Sequence, residues 1–426
     1  MSDRSSRKSV LRLFGCTGAL LLAADMLAFK LLGENGTGSF SEYMVVVVDS
    51  RVLDWLSFMA WPAFVLIGVS MGVVPQLKEV QDKAGTRGRL CFWLLVVGYL
   101  VDAAGRTVLT GPVIGNGLAV FGSAMQLGGA VVYLWATWQD IWRSLHPSVR
   151  DILLQAGTLW LLGGVAVHFT HNVAAAMEYG SLVYLRSSDA VYQGFALGFV
   201  ANTGLWLLST IMPRFLGIPQ PRQRAVSSIV AYNVLLVLWV FGESWCLAYP
   251  YTWVRLPLTL TGLGLAGVTA YMLRDMSALN YLGARVKDGR RVLAKVASFA
   301  AMVSMLGAVT IIAGIGVWLG STNDVSLPLL HYAVKEVLRT GLGSYLLIAL
   351  LVGFLGQQAT AGVKRVLVWS SIGAIGLAVA AEVGVTLVVP MTMLLDLGAL
   401  RSAACWANGA GHLLLALWLF VSTYRA

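Results

Sequence analysis

The stretch AVYQGFALGFVANTGLWLLSTIMP occupies residues 190–213 and contains no Asp, Glu, Lys or Arg. The hydrocarbon core of a bilayer is about 30 Å thick, so an α-helix needs roughly 20 predominantly apolar residues to cross it. This segment meets that requirement and therefore predicts a transmembrane helix. The same criterion can be applied outward from it towards both ends of the chain.

Eleven further segments meet the criterion, and short loops connect them. Together with 190–213 they predict twelve transmembrane helices, near residues 9–32, 52–76, 89–110, 113–138, 152–177, 190–213, 225–247, 251–273, 292–319, 328–356, 365–389 and 396–422. No loop is long enough to hold a separate folded domain. The predicted fold class is an all-α polytopic membrane protein, with residues 1–426 as a single membrane domain.

The composition agrees with this fold class. Of the 426 residues, 58% are hydrophobic and 12% are charged, and the mean hydropathy is +0.76. Soluble domains carry about 25% charged residues, so the composition excludes an ordinary soluble protein. The net charge of +10 is interpreted as membrane topology and attraction to lipid headgroups. The expected partner is the lipid bilayer, and no nucleic-acid partner is expected.

The distribution of Lys and Arg predicts the orientation of the chain. Most of these residues lie in every second loop, and the alternate loops carry only Arg51, Arg106, Arg186, Arg255 and Arg401. By the positive-inside rule, both termini are cytoplasmic. The expected location is the inner (cytoplasmic) membrane.

An internal repeat groups the predicted helices in fours. Shifting the chain by 139 residues places 215–217 on 354–356, both Phe-Leu-Gly, and Glu243 on Glu382. Residues 152–273 (helices 5–8) are therefore predicted to resemble residues 292–422 (helices 9–12). A shift of 138 residues places Pro75 on Pro213 and indicates a weaker third copy in residues 9–138.

Each copy contains an even number of helices, so all copies enter the membrane in the same orientation. Inverted-repeat transporters require the opposite arrangement. Three parallel copies of four helices are the arrangement of haem–copper oxidase subunit I.

Ionisable residues inside the predicted helices are concentrated towards the outer side of the membrane. His168 and His171 lie one turn apart in helix 5, and Asp102 ends helix 3 on that side. In helix 10, spacings of four place His331, Lys335 and Arg339 on one face, while His412 in helix 12 lies nearer mid-depth. Intramembrane ionisable groups are costly unless they are paired or functional.

The histidines are candidate ligands of haem or copper, because neutral imidazole binds both metals. His168, His171 and His331 are the candidate metal ligands, and His412 is a further candidate for cofactor binding. Each also has a structural interpretation. His168 and His171 would then be interfacial or hydrogen-bonded to their own helix, His331 would start a helix, and His412 would be a hydrogen-bonded packing histidine.

The charged candidates also have two interpretations each. Lys335 and Arg339 would neutralise haem propionates or another anion, or would form ion pairs with Glu336 and Glu382. Glu243 and Glu382 would relay protons, or would make the same structural contact in two repeats.

Two stretches resemble a known family. The first runs from Tyr192-Gln193-Gly194-Phe195 through Phe199 to 212–217 (Met-Pro-Arg-Phe-Leu-Gly), and the second runs from His331 to Gly356. Each is similar to the repeated helix of NnrS-like membrane proteins, which have the haem–copper oxidase fold. The next helix, ending in Phe241-Gly242-Glu243, is also similar. The resemblance covers most of residues 50–426.

The resemblance implies bound haem and copper and a link to nitric oxide metabolism, but the sequence departs from the family in two ways. The helix that typically opens with a histidine opens with Tyr192 in the earlier copy, which makes Tyr192 a further candidate catalytic residue. The chain also has five histidines, whereas a complete oxidase centre uses six histidine ligands. Oxygen reduction by the standard centre is therefore not expected.

Three functions follow. The first is a haem b-binding redox protein of the NnrS-like type, with copper as a further metal, linked to nitric oxide or respiratory metabolism. The second is a metal-free divergent membrane subunit or anchor for a redox partner subunit. The third is a transporter of a small anionic solute.

Overall fold

The computed structural model describes residues 2–32, 61–77, 84–105, 112–144, 148–177, 192–217, 226–248, 252–275, 288–321, 333–335, 337–355, 360–388 and 398–424. Within these ranges almost every residue is helical and no strand occurs. The helices are α1 (Ser2–Leu32), α2 (Phe64–Leu77), α3 (Ala84–Gly105), α4 (Pro112–Trp142), α5 (Asp151–Ala176), α6 (Tyr192–Leu216), α7 (Val226–Ala248), α8 (Thr252–Asp275), α9 (Gly289–Ser321), α10 (Ala333–Leu355), α11 (Val363–Val388) and α12 (Gly398–Tyr424).

The helices confirm an all-α, multi-pass membrane architecture at the level of length and composition. Among the described residues, nine helices, α3 to α11, are long and apolar enough to cross a bilayer. The apolar helical segments nearest the N-terminus are shorter, at Ser9–Ala24 within α1 and at Trp61–Pro75, which begins before the first residue of α2. The count of twelve membrane crossings stays a prediction.

The helix bounds follow the sequence-based segments closely from α3 onward. For example, the predicted segment 152–177 corresponds to Asp151–Ala176, and 365–389 corresponds to Val363–Val388. The largest described difference is at α1, which begins at Ser2 rather than at residue 9. The hydropathy criterion detects only apolar turns, whereas a helix can continue through polar turns beyond the bilayer core.

The chain divides into two compact units. Unit 1 comprises Met1–Pro147, Gly157–Leu185 and Leu419–Ala426, and unit 2 comprises Ser148–Ala156 and Arg186–Trp418. The predicted single domain and its repeats 9–138, 152–273 and 292–422 stay predictions.

In unit 1, glycines bring α3 and α4 into backbone contact. A Cβ atom at Gly98 would lie 2.6 Å from the carbonyl oxygen of Gly122, and a Cβ atom at Gly122 would meet the backbone of Asp102. Such distances are too short for any side chain, so the helices approach closely here because both residues are glycine. This approach places Asp102 of α3 directly against α4.

In unit 2, α6 and α10 are the most deeply buried of the nine candidate spans. In the most apolar part of α6, 94% of the residues are buried, and in that of α10 the share is 89%. In the other seven spans the share of buried residues is 28–56%. The two helices pack against each other at glycines, because Cβ atoms at Gly204 and Gly353 would overlap Leu346 and Met212.

Both central helices contain a π-helical turn, at Ala196–Ala201 in α6 and Val337–Gly343 in α10. In α6, side chains satisfy two carbonyl groups of this turn. The Asn202 amide donates to Gly198 O at 2.6 Å, and the Tyr232 hydroxyl donates to Leu197 O at 2.8 Å. Single π-turns within α-helices occur frequently at functional sites.

Candidate functional site

A carboxyl–imidazole cluster lies inside unit 1. Asp102 Oδ2 of α3 lies 2.6 Å from His168 Nε2 of α5. The Gln126 amide of α4 donates to the same Oδ2 at 3.3 Å, and the Asn172 amide of α5 donates to Oδ1 at 3.3 Å. All four side chains are at most 4% exposed. The cluster therefore joins three helices through one buried carboxyl group.

The hydrogen bonds indicate how this cluster holds its proton. Two amide groups donate to Asp102, which suits an ionised carboxylate because that form is only an acceptor. His168 Nε2–H then donates the third hydrogen bond to it. A buried carboxylate is stable only when it is paired and hydrogen-bonded, and these contacts meet both conditions.

The helix geometry explains the composition of the cluster. His168 and Asn172 are four residues apart and thus share a face of α5. The Asn172 amide also donates to Ala119 O of α4 at 3.1 Å. His171, the other candidate ligand in α5, is half-buried.

His412 forms a second buried polar site, in unit 2. Its side chain is fully buried in α12. Nδ1 lies 2.9 Å from Asn408 O one turn earlier, and Nε2 lies 3.0 Å from Ser344 Oγ of α10. The Asn408 amide donates to Thr340 Oγ1 at 3.5 Å. His412 is therefore held where α12 packs on the segment that follows the π-turn of α10.

These two contacts determine the tautomer of a neutral His412. A backbone carbonyl only accepts hydrogen bonds, so Nδ1 carries the proton and donates to Asn408 O. Nε2 then presents its lone pair and accepts the Ser344 hydroxyl. Metal-bound histidines have the same arrangement, in which one ring nitrogen donates to a carbonyl or carboxylate and the other binds the metal.

The two cations of α10 lie one turn apart. Arg339 is 5% exposed and lies within the π-turn, whereas Lys335 is partly exposed. Lys335 Nζ lies 5.3 Å from the centre of the Tyr192 ring, and the Tyr192 hydroxyl makes a long hydrogen bond of 3.5 Å to Lys335 O. Tyr192 therefore contacts α10 directly beside a predicted anion-binding residue.

The remaining candidates are only partly described. Glu243 in α7 is completely buried. Glu382 lies in α11, but its side chain is outside the described part of the structure, as are His331 and Glu336. The predicted ligand role of His331 and the predicted ion pairs with Glu336 and Glu382 stay predictions.

Sequence reasoning missed the uncharged members of both sites, namely Gln126, Asn172, Ser344 and Asn408. The missed signal was the presence of amide side chains within apolar spans. Such side chains seek hydrogen-bond partners inside a bundle.

Within the described ranges, no three His, Cys, Asp or Glu side chains come close enough together to hold a metal ion. No protein-family model matches the chain, and no curated protein matches it.

Proposed function

We propose that this chain is a haem b-binding redox protein of the NnrS-like type, in a membrane bundle of the haem–copper oxidase fold. His412 carries the proposal. Its Nδ1–H donates to Asn408 O, and its Nε2 lone pair accepts the hydroxyl of Ser344. This buried imidazole has the tautomer of a haem-binding histidine, because Nε2 is the ring nitrogen that carries the lone pair.

The cations of α10 support the same proposal. Thr340 and Ser344 both contact α12 through hydrogen bonds, so the π-turn that carries Arg339 faces the helix of His412. Arg339 and Lys335 are the residues that would neutralise haem propionates. When bound, haem supplies one-electron chemistry and a binding site for diatomic gases. The chain's residues would hold the imidazole in its ligand tautomer and bury the site.

Two parts of the proposal come from the family resemblance. These are haem b as the cofactor and the link to nitric oxide or respiratory metabolism. Copper stays a sequence-based prediction, since His331, one of its expected ligands, is outside the described residues.

The first experiment is an absorption spectrum of the detergent-purified protein, oxidised and dithionite-reduced, with a pyridine haemochrome assay. The proposal expects a Soret band and reduced α and β peaks. A featureless spectrum from haem-replete cells would contradict it.

A second candidate function is favoured by the carboxyl–imidazole cluster. His168 Nε2, the usual haem-binding nitrogen, already contacts Asp102 at 2.6 Å. This contact suits a metal-free membrane subunit or anchor for a redox partner. Asp102 and His168 would then act as a buried proton-binding pair, and their contact would not have to break for a metal to bind. Stable co-purification of a partner chain without haem would support this function, whereas haem bound without any partner would argue against it.

We also propose that the protein lies in the cytoplasmic membrane with both termini on the cytoplasmic side, on the basis of the Lys and Arg asymmetry. Reporter fusions after Trp142 and after Ala176 test this orientation. The first should report a cytoplasmic position and the second an external one, and the opposite pattern would reverse the proposed topology.

A further inference from the structure

A cavity of about 290 Å³ lies in unit 2 where the first turns of α9 and α11 meet. The residues that matter for its chemistry are Asp288, Gly289, Arg290, Thr360, Arg365 and Trp369. Both helices begin beside it, so these two helix ends lie on the same side of the unit. The sequence predicts this side to be cytoplasmic, because it carries the Lys- and Arg-rich loops.

The cavity has an excess of positive charge. Asp288 is the single carboxylate among the described residues of its lining, and Arg290 already engages it. The Arg290 backbone N–H donates to Asp288 Oδ1 at 3.1 Å, and the Arg290 guanidinium lies 3.2 Å from Oδ2. Within the described part of the chain, the side chain of Arg365 has no hydrogen-bond or ion-pair partner.

The position of Arg365 increases this excess. A Cβ atom at Gly289 would lie 2.8 Å from Arg365 Nη2, so the guanidinium lies against the first residue of α9. The N-terminus of a helix carries a partial positive charge from its unpaired N–H groups. Arg365 itself is exposed, so an anion from solution can reach its guanidinium group and these N–H groups together.

We propose that this cavity binds the phosphate group of an anionic ligand, through the Arg365 and Arg290 guanidinium groups. Planar guanidinium groups form paired hydrogen bonds with phosphate oxygens. The volume is at the lower end of the range for ligand pockets and suits a phosphate or a lipid headgroup. Trp369 is half-buried beside it, as expected for an aromatic residue at the membrane interface. Basic pockets between helices on the cytoplasmic side commonly hold anionic headgroups.

The test measures the thermal unfolding of the detergent-purified full chain with two probes added separately, inorganic phosphate and dioctanoyl phosphatidylglycerol. Dioctanoyl phosphatidylcholine controls for the acyl chains. Ligands that bind only the folded state raise the unfolding temperature. Arg365→Gln is the test variant. Arg291→Gln is the matched control, because it removes the same charge from the first turn of α9 but does not line the cavity.

The proposal expects the wild type and Arg291→Gln to be stabilised equally, with about tenfold weaker binding in Arg365→Gln. Stabilisation by phosphatidylglycerol alone identifies a lipid headgroup, and stabilisation by inorganic phosphate identifies a free phosphate-bearing solute. If neither probe stabilises the wild type more than Arg365→Gln, the proposal is overturned. If Arg365→Gln fails to fold, Arg365→Lys replaces it and should also bind more weakly, because a lysine lacks the paired donors.

Discussion

Asp102 and His168 form a 2.6 Å contact between α3 and α5, and each side chain is at most 2% exposed. Two ionisable groups so far from solvent destabilise the fold strongly if either of them lacks its partner. Gln126 and Asn172 fill further acceptor positions of the carboxylate. The packing of three helices in unit 1 thus depends on one buried pair.

Removing one member of this pair should destabilise unit 1 strongly. His168→Ala leaves the Asp102 carboxylate buried without its imidazole, at an expected cost of about 3–5 kcal/mol in the free energy of unfolding. Unfolding by SDS titration, followed by tryptophan fluorescence, measures this cost. The matched control is His171→Ala, one turn later on the same helix and only half-buried. Equal losses in the two variants would show that the pair has no special role.

The double variant Asp102→Leu/His168→Leu separates charge from packing. Replacing both members of a buried ion pair by apolar residues is often neutral or stabilising, so the double variant should recover much of the stability that His168→Ala loses. A double variant less stable than the single one would mean that the loss comes from packing, or from the Gln126 and Asn172 amides that lose their acceptor, rather than from an unpaired charge.

The close approach of α3 and α4 predicts a contrast between two glycines of α4. A methyl group at Gly122 would meet the backbone of Asp102 and Gly98, whereas one at Gly117 has no atom within 4 Å. Gly122→Ala should therefore lower the free energy of unfolding by about 1–3 kcal/mol through overpacking. Gly117→Ala should be neutral or stabilising by up to about 1 kcal/mol, because alanine favours helix. The same SDS titration distinguishes them, and a tolerated Gly122→Ala would contradict the observed packing.

The helices were predictable because each apolar segment can be recognised from its own length and hydropathy. Nine of the twelve predicted segments correspond to described helices that could cross a bilayer, since length and hydropathy are local properties. The π-turns at Ala196–Ala201 and Val337–Gly343 were not predictable, because they depend on the packing of α6 and α10 rather than on local composition.

The sites were only partly predictable. Sequence placed Asp102 and His168 at a similar depth, but their pairing depends on how α3 and α5 rotate about their axes, which contacts such as Gly98–Gly122 determine. His412 was identified with both a ligand and a packing interpretation. Its hydrogen bonds to Asn408 and Ser344 were not predictable. Ser344 lies in α10, and hydropathy does not specify that α10 packs against α12.

If His412 binds haem, replacing His412 should change the haem spectrum, whereas replacing its neighbour Ser344 should not. We expect His412→Ala to lose or shift the Soret band, because the iron loses an imidazole ligand. Ser344→Ala should retain the band, since it removes only the competing hydroxyl from Nε2. His146→Ala, in a predicted cytoplasmic loop, is the control for histidine loss. An unchanged spectrum in His412→Ala would assign any bound haem to other ligands.

Arg339→Gln offers a separate check on the same site. It removes the buried cation predicted to neutralise a propionate, so bound haem should become easier to extract while the positions of the absorption bands stay close to those of the wild type. Lys364→Gln, in the first turn of α11, removes one positive charge elsewhere. Equal haem retention in both variants would exclude a propionate role for Arg339.

Asp288 predicts a pH dependence of stability at the start of α9. The Arg290 backbone N–H donates to its carboxylate, and this bond, with the nearby charges of Arg290 and Arg291, lowers the pKa of Asp288 below its ordinary value of 3.8. A carboxyl group with a lowered pKa in the folded state stabilises the fold above its unfolded pKa. That contribution is lost as the pH falls through the folded pKa. Stability from Asp288 should therefore be complete near neutral pH and decline below about pH 4.

Two variants isolate this effect in thermal unfolding scans from neutral to acidic pH. Asp288→Asn keeps a side-chain acceptor for the first turn of the helix but cannot ionise, so its stability should change less with pH than that of the wild type. Asp288→Ala should be less stable than Asp288→Asn at every pH, because the acceptor is gone. If the wild type and Asp288→Asn lose stability in parallel on acidification, the pH dependence arises from other carboxyl groups and not from Asp288.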